Sequence, residues 1–259
     1  MVNLTTENMH VRYLIDGFSK GTIAIPEFQR EYVWKPAKVV KLIDSIYRSY
    51  PTGTLLVWKP KLEERVTRKG KKKATGQVYW LIDGQQRTRS LYESLKEGNI
   101  SIYFDPISES FCIRKKSVEN SSKHLSLIDL LEGTNYLSIK KSLRESFPES
   151  ESRIELAIDK CRAILDYEIP MVVMHEHSLE DAINAFERIN TSGTRLKSAD
   201  ISTAKLSFSH TGFVNKRVTP LIGWLRNKGF DRIYSSQLFM ACSAIAKASP
   251  KKIFNSYIN

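Results

Sequence analysis

Apolar and polar positions alternate along this chain in two rhythms, one of about 3.6 residues and one of 2, which divide it into helices and strands. Met9, Tyr13, Leu14 and Phe18 recur near helical spacing and predict a helix over Thr6–Ser19, ended at Lys20-Gly21. TIAIP follows as a short strand that Pro26 terminates. Val39, Val40, Ile43, Ile46 and Tyr47 mark a second helix, opened by Pro36 and broken at Tyr50-Pro51-Thr52-Gly53. TLLVW and QVYWLID, the latter rich in β-branched and aromatic residues, read as strands on either side of a lysine-rich excursion or long loop. After DGQQR comes a helix carrying Leu91, Tyr92 and Leu95 and stopped at Gly98, then the strands SIYFDP and SFCIRKK. Residues 124–166 read as helical and acidic, YEIPMVVM as a strand, Leu179–Ile189 as a helix, and the chain from Ser198 onward as helical. The expected architecture is α/β (α+β), a mixed-sheet domain over residues 1–120 followed by a mainly helical region over 121–259.

Composition narrows the class. The 259 residues are 41% hydrophobic and 26% charged, enough for a buried core, which excludes a disordered chain, a collagen-like fibre and a disulfide scaffold. Cys112, Cys161 and Cys242 are scattered, with no CxxC pair to suggest structural zinc. No apolar run approaches the roughly 18 residues of a membrane span and no signal layout opens the chain, so a soluble, cytoplasmic protein with no membrane partner is expected.

Charge adds a partner. The net charge is +12, divided as +8 over residues 1–130, −4 over 131–200 and +8 over 201–259. Lys59, Lys61, Arg65, Arg68, Lys69, Lys71, Lys72 and Lys73 stand in one stretch against Glu63 and Glu64. Such a run attracts phosphate backbones, or else forms a solvated loop. The tail VNKRVTPLIGWLRNKGFDR reads as a helix with one basic and one packed face.

Three motifs offer chemistry. In IPEFQREYVW, polar Gln29 and Arg30 sit between aromatics just after a strand, where a loop is held rigidly; Phe28, Tyr32 and Trp34 packing in a turn is the alternative. In Ile82-Asp83-Gly84-Gln85-Gln86-Arg87-Thr88 a strand runs through glycine into a helix, a natural anion site to which Arg87 adds a fork. Asp83 there can hold a divalent ion, polarise water or cap the helix. FERINTSGTRL places Asn190, Thr191, Ser192 and Thr194 around Gly193, either as donors to a ligand or as a helix end. His175-Glu176-His177 follows a strand and reads as an exposed loop more than as a metal site. There is no Walker-type GxxxxGK[ST] and no His-Asn-His nuclease signature.

In combination, IPEFQREYVW, WLIDGQQRTRSLYESL and AFERINTSGTRLKSADI resemble the three successive signatures of the GmrSD restriction endonuclease N-terminal domain family, in order and approximate spacing over residues 8–210. That family is similar to the ParB/sulfiredoxin superfamily, to type IV modification-dependent restriction enzymes and to SspE-type phosphorothioate-sensing proteins. The resemblance implies a ParB/sulfiredoxin-like mixed-sheet domain followed by a helical region. It also implies nucleotide binding and hydrolysis at the DGQQR turn within an anti-phage restriction system.

On this reading Asp83, Gln86 and Arg87 are the catalytic candidates, with Asp83 also a candidate ligand for Mg2+. Gln29, Arg30, Gly84, Gln85, Thr88, Asn190, Ser192 and Gly193 would bind the NTP, with the base undetermined. Tyr32, Arg65, Arg68, Lys69, Lys71, Lys72 and Lys73 would face DNA, expected to be modified DNA. Cutting would fall to a nuclease partner subunit or a C-terminal nuclease domain outside this chain, and an oligomer is conceivable. Two alternatives stand beside the NTPase: a non-catalytic DNA-binding adaptor whose DGQQR turn grips a phosphate, and a ParB-like nuclease with Asp83 as metal ligand.

Overall fold

The computed structural model describes residues 3–26, 32–60, 78–113, 124–133, 151–189 and 214–230, with a few isolated positions besides. Residues 1–24 with 31–176 form one compact unit, and residues 25–30 with 177–259 another.

The first unit is built on a mixed five-stranded sheet. Its strands are β1 (Asn3–His10), β2 (Ile23–Ala24), β3 (Leu55–Lys59), β4 (Tyr79–Asp83) and β8 (Glu168–His175), in the spatial order β1-β8-β3-β4-β2. β8 runs antiparallel to β1 and parallel to β3, β3 is antiparallel to β4, and β4 is parallel to β2. Leu55, Leu56, Val57 and Trp58 are all buried, as the central strand of a covered sheet requires, which is why TLLVW reads as an unbroken apolar run. A second sheet, ordered β6-β5-β7, joins β5 (Ile102–Asp105), β6 (Ser110–Ile113) and β7 (Leu125–Ser126). The helices of this unit are α1 (Val11–Lys20), α2 (Pro36–Tyr47), α3 (Gln85–Leu95), α4 (Leu127–Glu132) and α5 (Glu151–Arg162). Pro36 occupies the first turn of α2, as its missing N–H and fixed φ favour. The mixed α/β class expected from the pattern is the one observed.

Two expectations shift. Residues 3–10 are a strand, and the first helix begins only at Val11. β1 is an edge strand with most of its residues exposed, so no inward-facing alternation marks it; pairing with β8, from Asn3 opposite His175 to His10 opposite Glu168, fixes it instead. The chain also divides after Glu176, which does not coincide with the boundary expected near residue 120. The reason is β8: lodged between β1 and β3, it holds the chain through residue 176 in the sheet unit.

In the second unit, α6 (Leu179–Ile189) buries Ala182, Ile183 and Phe186. Ser178 and Asp181 cap its start reciprocally: the Ser178 N–H donates to the Asp181 carboxylate, and the Asp181 N–H to the Ser178 hydroxyl. A π-helical turn at Val214–Val218 leads into α7 (Thr219–Asn227). Among the described residues, no helix is long and apolar enough to cross a membrane.

One polar knot ties three elements of the first unit. The Tyr47 hydroxyl donates to Glu109 Oε2 at 2.7 Å, and Lys160 Nζ lies 3.5 Å from that carboxylate and 4.2 Å from the Tyr47 ring centroid. The hydrogen bond from Tyr47, with help from Lys160, holds the Glu109 carboxyl below its ordinary value of 4.5. Tyr47→Phe is therefore expected to destabilise the protein by about 1–2 kcal/mol, read from thermal melts. Because the folded value of Glu109 is depressed, the contribution is present at neutral pH and disappears as pH falls below 4.5 through the folded value. Wild type and Tyr47→Phe should accordingly converge in stability in acid.

Candidate functional site

The site is built at the carboxyl end of β4. Asp83 ends that strand opposite Leu56, where the β3–β4 register shifts between Leu56 and Val57. Gly84 then turns the chain with φ 94° and ψ 8°, and α3 starts at the next residue. Glycine is required twice here, since this left-handed conformation disfavours a side chain and a Cβ would fall 2.2 Å from Leu55 Cδ2. The consequence is that the amino end of α3 opens at the end of the sheet. Gly84 supplies no side-chain cap, leaving the positive end of the helix available to an anion.

β3 runs opposite to β4, so its entry loop, Pro51–Thr54, stands beside the same turn. Arg87 closes the gap between them. Its Nη1 donates to the Thr52 carbonyl at 2.8 Å and its Nη2 to the Thr54 carbonyl at 2.7 Å, while Asp83 Oδ2 lies 3.4 Å away. Gly53, at φ 87°, leaves the room: a Cβ there would lie 2.9 Å from Arg87 Nη1. The Arg87 side chain is only 15% exposed. Burial pulls its pKa below the usual arginine value and Asp83 pulls it back up, so the group stays charged. The fork expected to hold a ligand phosphate thus spends three contacts on the protein itself.

Gln86 and Ser90 stitch a second segment to α3. Gln86 Oε1 accepts from the Val33 N–H at 3.0 Å. Ser90 donates to the Gln86 carbonyl at 2.6 Å, so the Tyr32 hydroxyl, 2.9 Å away, donates to Ser90. Arg89 lies 5.4 Å from the Tyr32 ring centroid. Tyr32, expected to face DNA, therefore has its hydroxyl turned into its own fold. Thr88, expected in the ligand pocket, is fully buried, and its Oγ1, like that of Thr52, has no hydrogen-bond partner among the described residues. What faces water at the turn is the Asp83 carboxylate, 40% exposed, and half-buried Gln85. Asp83 does not cap α3, whose cap position is Gly84.

The structure brings together Asp83, Gly84, Gln85, Gln86, Arg87 and Thr88, with Tyr32 one turn along the helix. Gln29, Arg30, Arg65, Arg68, Lys69, Lys71, Lys72, Lys73, Asn190, Ser192 and Gly193 lie outside the described residues. Sequence reasoning missed Thr52, Gly53, Thr54 and Ser90. The legible signal was Gly53 between two threonines directly before a buried strand, where a plain loop break needs only the proline. Of the other histidine candidates, His175 Nε2 meets the Thr5 hydroxyl at 2.7 Å and His177 lies 3.9 Å from Asp181. Among the described residues, no three His, Cys, Asp or Glu side chains cluster as a metal site. Asp83 offers a single carboxylate, which suits a Mg2+ that arrives on a phosphate chain and keeps its waters, rather than a metal caged by protein.

A mixed sheet whose strand β4 passes through the left-handed Gly84 into α3 defines an α/β protein with its candidate site at the end of the sheet. The chain belongs to the family described as GmrSD restriction endonuclease, N-terminal domain, whose model matches residues 11–207. It is also similar to an uncharacterized protein of Methanocaldococcus jannaschii, 22% identical over 79% of this chain and 42% of that protein. The chain thus spans about two fifths of that relative's length.

Proposed function

We propose that this chain is the nucleotide-binding, DNA-sensing module of a bacterial anti-phage restriction system, binding and hydrolysing NTP at the DGQQR turn and recognising modified DNA. The observation that carries the reading is the left-handed Gly84 turn that opens α3 at the end of β4 with no side-chain cap. Asp83 is the exposed carboxylate at that end and would orient the attacking water. Bound Mg2+, held by Asp83 and the phosphates, would supply charge neutralisation. Gln85 and Gln86 would hydrogen-bond phosphate oxygens or water. Arg87 acts at one remove, fixing the Thr52–Thr54 loop and the direction of the Asp83 carboxylate. The lysine-rich stretch 65–73 is proposed to track the DNA backbone, and a nuclease partner or domain to do the cutting.

Asp83→Asn tests the site with little disturbance, since a half-exposed ion pair contributes roughly 0–1 kcal/mol. NTP turnover is expected to fall at least about 100-fold with the melting temperature nearly unchanged. Equal turnover in the two proteins refutes the assignment. Phosphate gripping without hydrolysis is the second reading, favoured by the commitment of Arg87 to backbone carbonyls. Under it, binding titrations show DNA affinity that falls steeply with salt and no saturable NTP binding at high salt.

A further inference from the structure

The second unit carries a feature that the DGQQR turn does not use. Along α7, Leu221, Trp224 and then Lys228 recur at i, i+3 and i+7, one face of the helix, and all three are exposed. Trp224 is 58% exposed and Phe230, just beyond the helix, 59%. The neighbouring face packs: Val218 and Ile222 are buried, against Ile233 and Leu238. Lys228 Nζ stands 6.0 Å from the Trp224 ring centroid, and exposed Lys216 and Arg217 precede the helix. No carboxylate among the described residues pairs with any of these three cations. Gly223 is exposed beside Trp224, and a Cβ there would meet nothing within 4 Å. Neither packing nor a turn asks for glycine at that point, although it weakens a helix by about 1 kcal/mol. It leaves a bare stretch of backbone beside the indole, open to close approach.

We infer that this face of α7 is a stacking platform for an unpaired DNA base, with Trp224 as the platform and Lys216, Arg217 and Lys228 holding the flanking phosphates. Charge selects the occupant. Residues 201–259 hold nine Lys or Arg and one Asp or Glu, so an anionic polymer is the complementary partner. Geometry selects the form of DNA. A large, exposed ring among cations, with no fork of donors aimed at a base edge, reads the π-face of a base, which is covered in an intact duplex and open in a single strand. The inference rests on the DNA-related role of the family and extends it to a surface outside the candidate phosphate turn.

The test compares affinities of the full chain for a fluorescently labelled oligo(dT) strand and for a blunt duplex of equal length, by anisotropy. Trp224→Ala should weaken oligo(dT) binding by about 5- to 150-fold, the equivalent of one lost stack, and duplex binding by less than about twofold. Trp224→Phe, which keeps a ring, should retain most of the strand affinity. Lys216→Ala combined with Arg217→Ala should weaken both ligands and lower the slope of log affinity against log salt by roughly 0.7 per cation on the single strand. Unchanged oligo(dT) affinity in Trp224→Ala, with wild type still binding duplex, overturns the platform and leaves the DNA role standing. Wild type binding neither ligand overturns both. A change from oligomer to monomer in Trp224→Ala with DNA affinity unaltered assigns the face to a protein contact and likewise overturns the inference.

Discussion

Gly84→Ala is expected to be among the most damaging single substitutions in the first unit, at about 2–5 kcal/mol. Two separate penalties add. The residue sits at φ 94°, where an L side chain is strained by roughly 1–2 kcal/mol, and the new Cβ would overlap Leu55 Cδ2, only 2.2 Å away. Leu55 is fully buried in the central strand β3 and has no free volume to retreat into, so the clash must be met by backbone movement of β3 or of the turn. Thermal melts should show a loss of roughly 5–15 °C. A double-mutant cycle separates the penalties. Leu55→Ala alone opens a cavity, but combined with Gly84→Ala it removes the overlap, so the pair should cost about 1–3 kcal/mol less than the sum of the singles. Strict additivity would mean that the two residues do not touch and that conformational strain accounts for the whole loss.

Arg87→Ala is expected to lose about 2–4 kcal/mol, because it removes a buried charged donor from two carbonyls and strips Asp83 of its nearest cation. Arg87 is the side chain that bonds both the Thr52 and the Thr54 carbonyl, so without it the Pro51–Thr54 loop should detach from α3. Hydrogen exchange at Thr54 and Leu55 reads that detachment directly, and should accelerate well before global unfolding. Arg87→Lys is the informative companion. An ammonium keeps the charge but lacks the planar fork that spans two carbonyls, and about half the loss should remain. A lysine variant as stable as wild type would show that charge alone, not bridging geometry, fixes the loop.

The central apolar strands of the fold were plain in the sequence, and the edge was not. β3 is buried almost throughout, β4 buries Leu81 and Ile82, β8 buries Ile169, Met171, Val173 and Met174, and TLLVW, QVYWLID and YEIPMVVM announce themselves as apolar or β-branched runs. NLTTENMH does not, because a strand at a sheet edge with both faces in water has no periodic burial to leave in its sequence. The position of β8 was equally hidden: its identity as a strand is local, but its place between β1 and β3 is a long-range fact. At the site, the strand–Gly84–helix turn was legible from Asp83 to Thr88, since the backbone chemistry is encoded by adjacent residues. The role of Arg87 was only half legible. A guanidinium after a glycine turn suits a phosphate, and nothing local says that a loop 33 residues earlier lies within its reach. Tyr32 went the same way, its hydroxyl claimed by Ser90, which is 58 residues distant in sequence.

The central place of β8 also sets a timetable for synthesis. β1 leaves the ribosome first, yet its sheet neighbour among the described residues is a strand made about 160 residues later. At roughly 5–20 residues per second, β1 waits about 8–30 s and the β8-facing edge of β3 about 6–22 s with their backbone N–H and C=O groups unpaired by the sheet. During that interval β3, with Leu55, Val57 and Trp58, presents an open apolar edge to any other nascent chain. The polar character of NLTTENMH keeps the waiting β1 harmless, whereas β3 has no such protection. Nascent chains stalled before Glu168 should therefore be held by chaperones or aggregate, and chains released after His175 should fold the sheet in a single closing step.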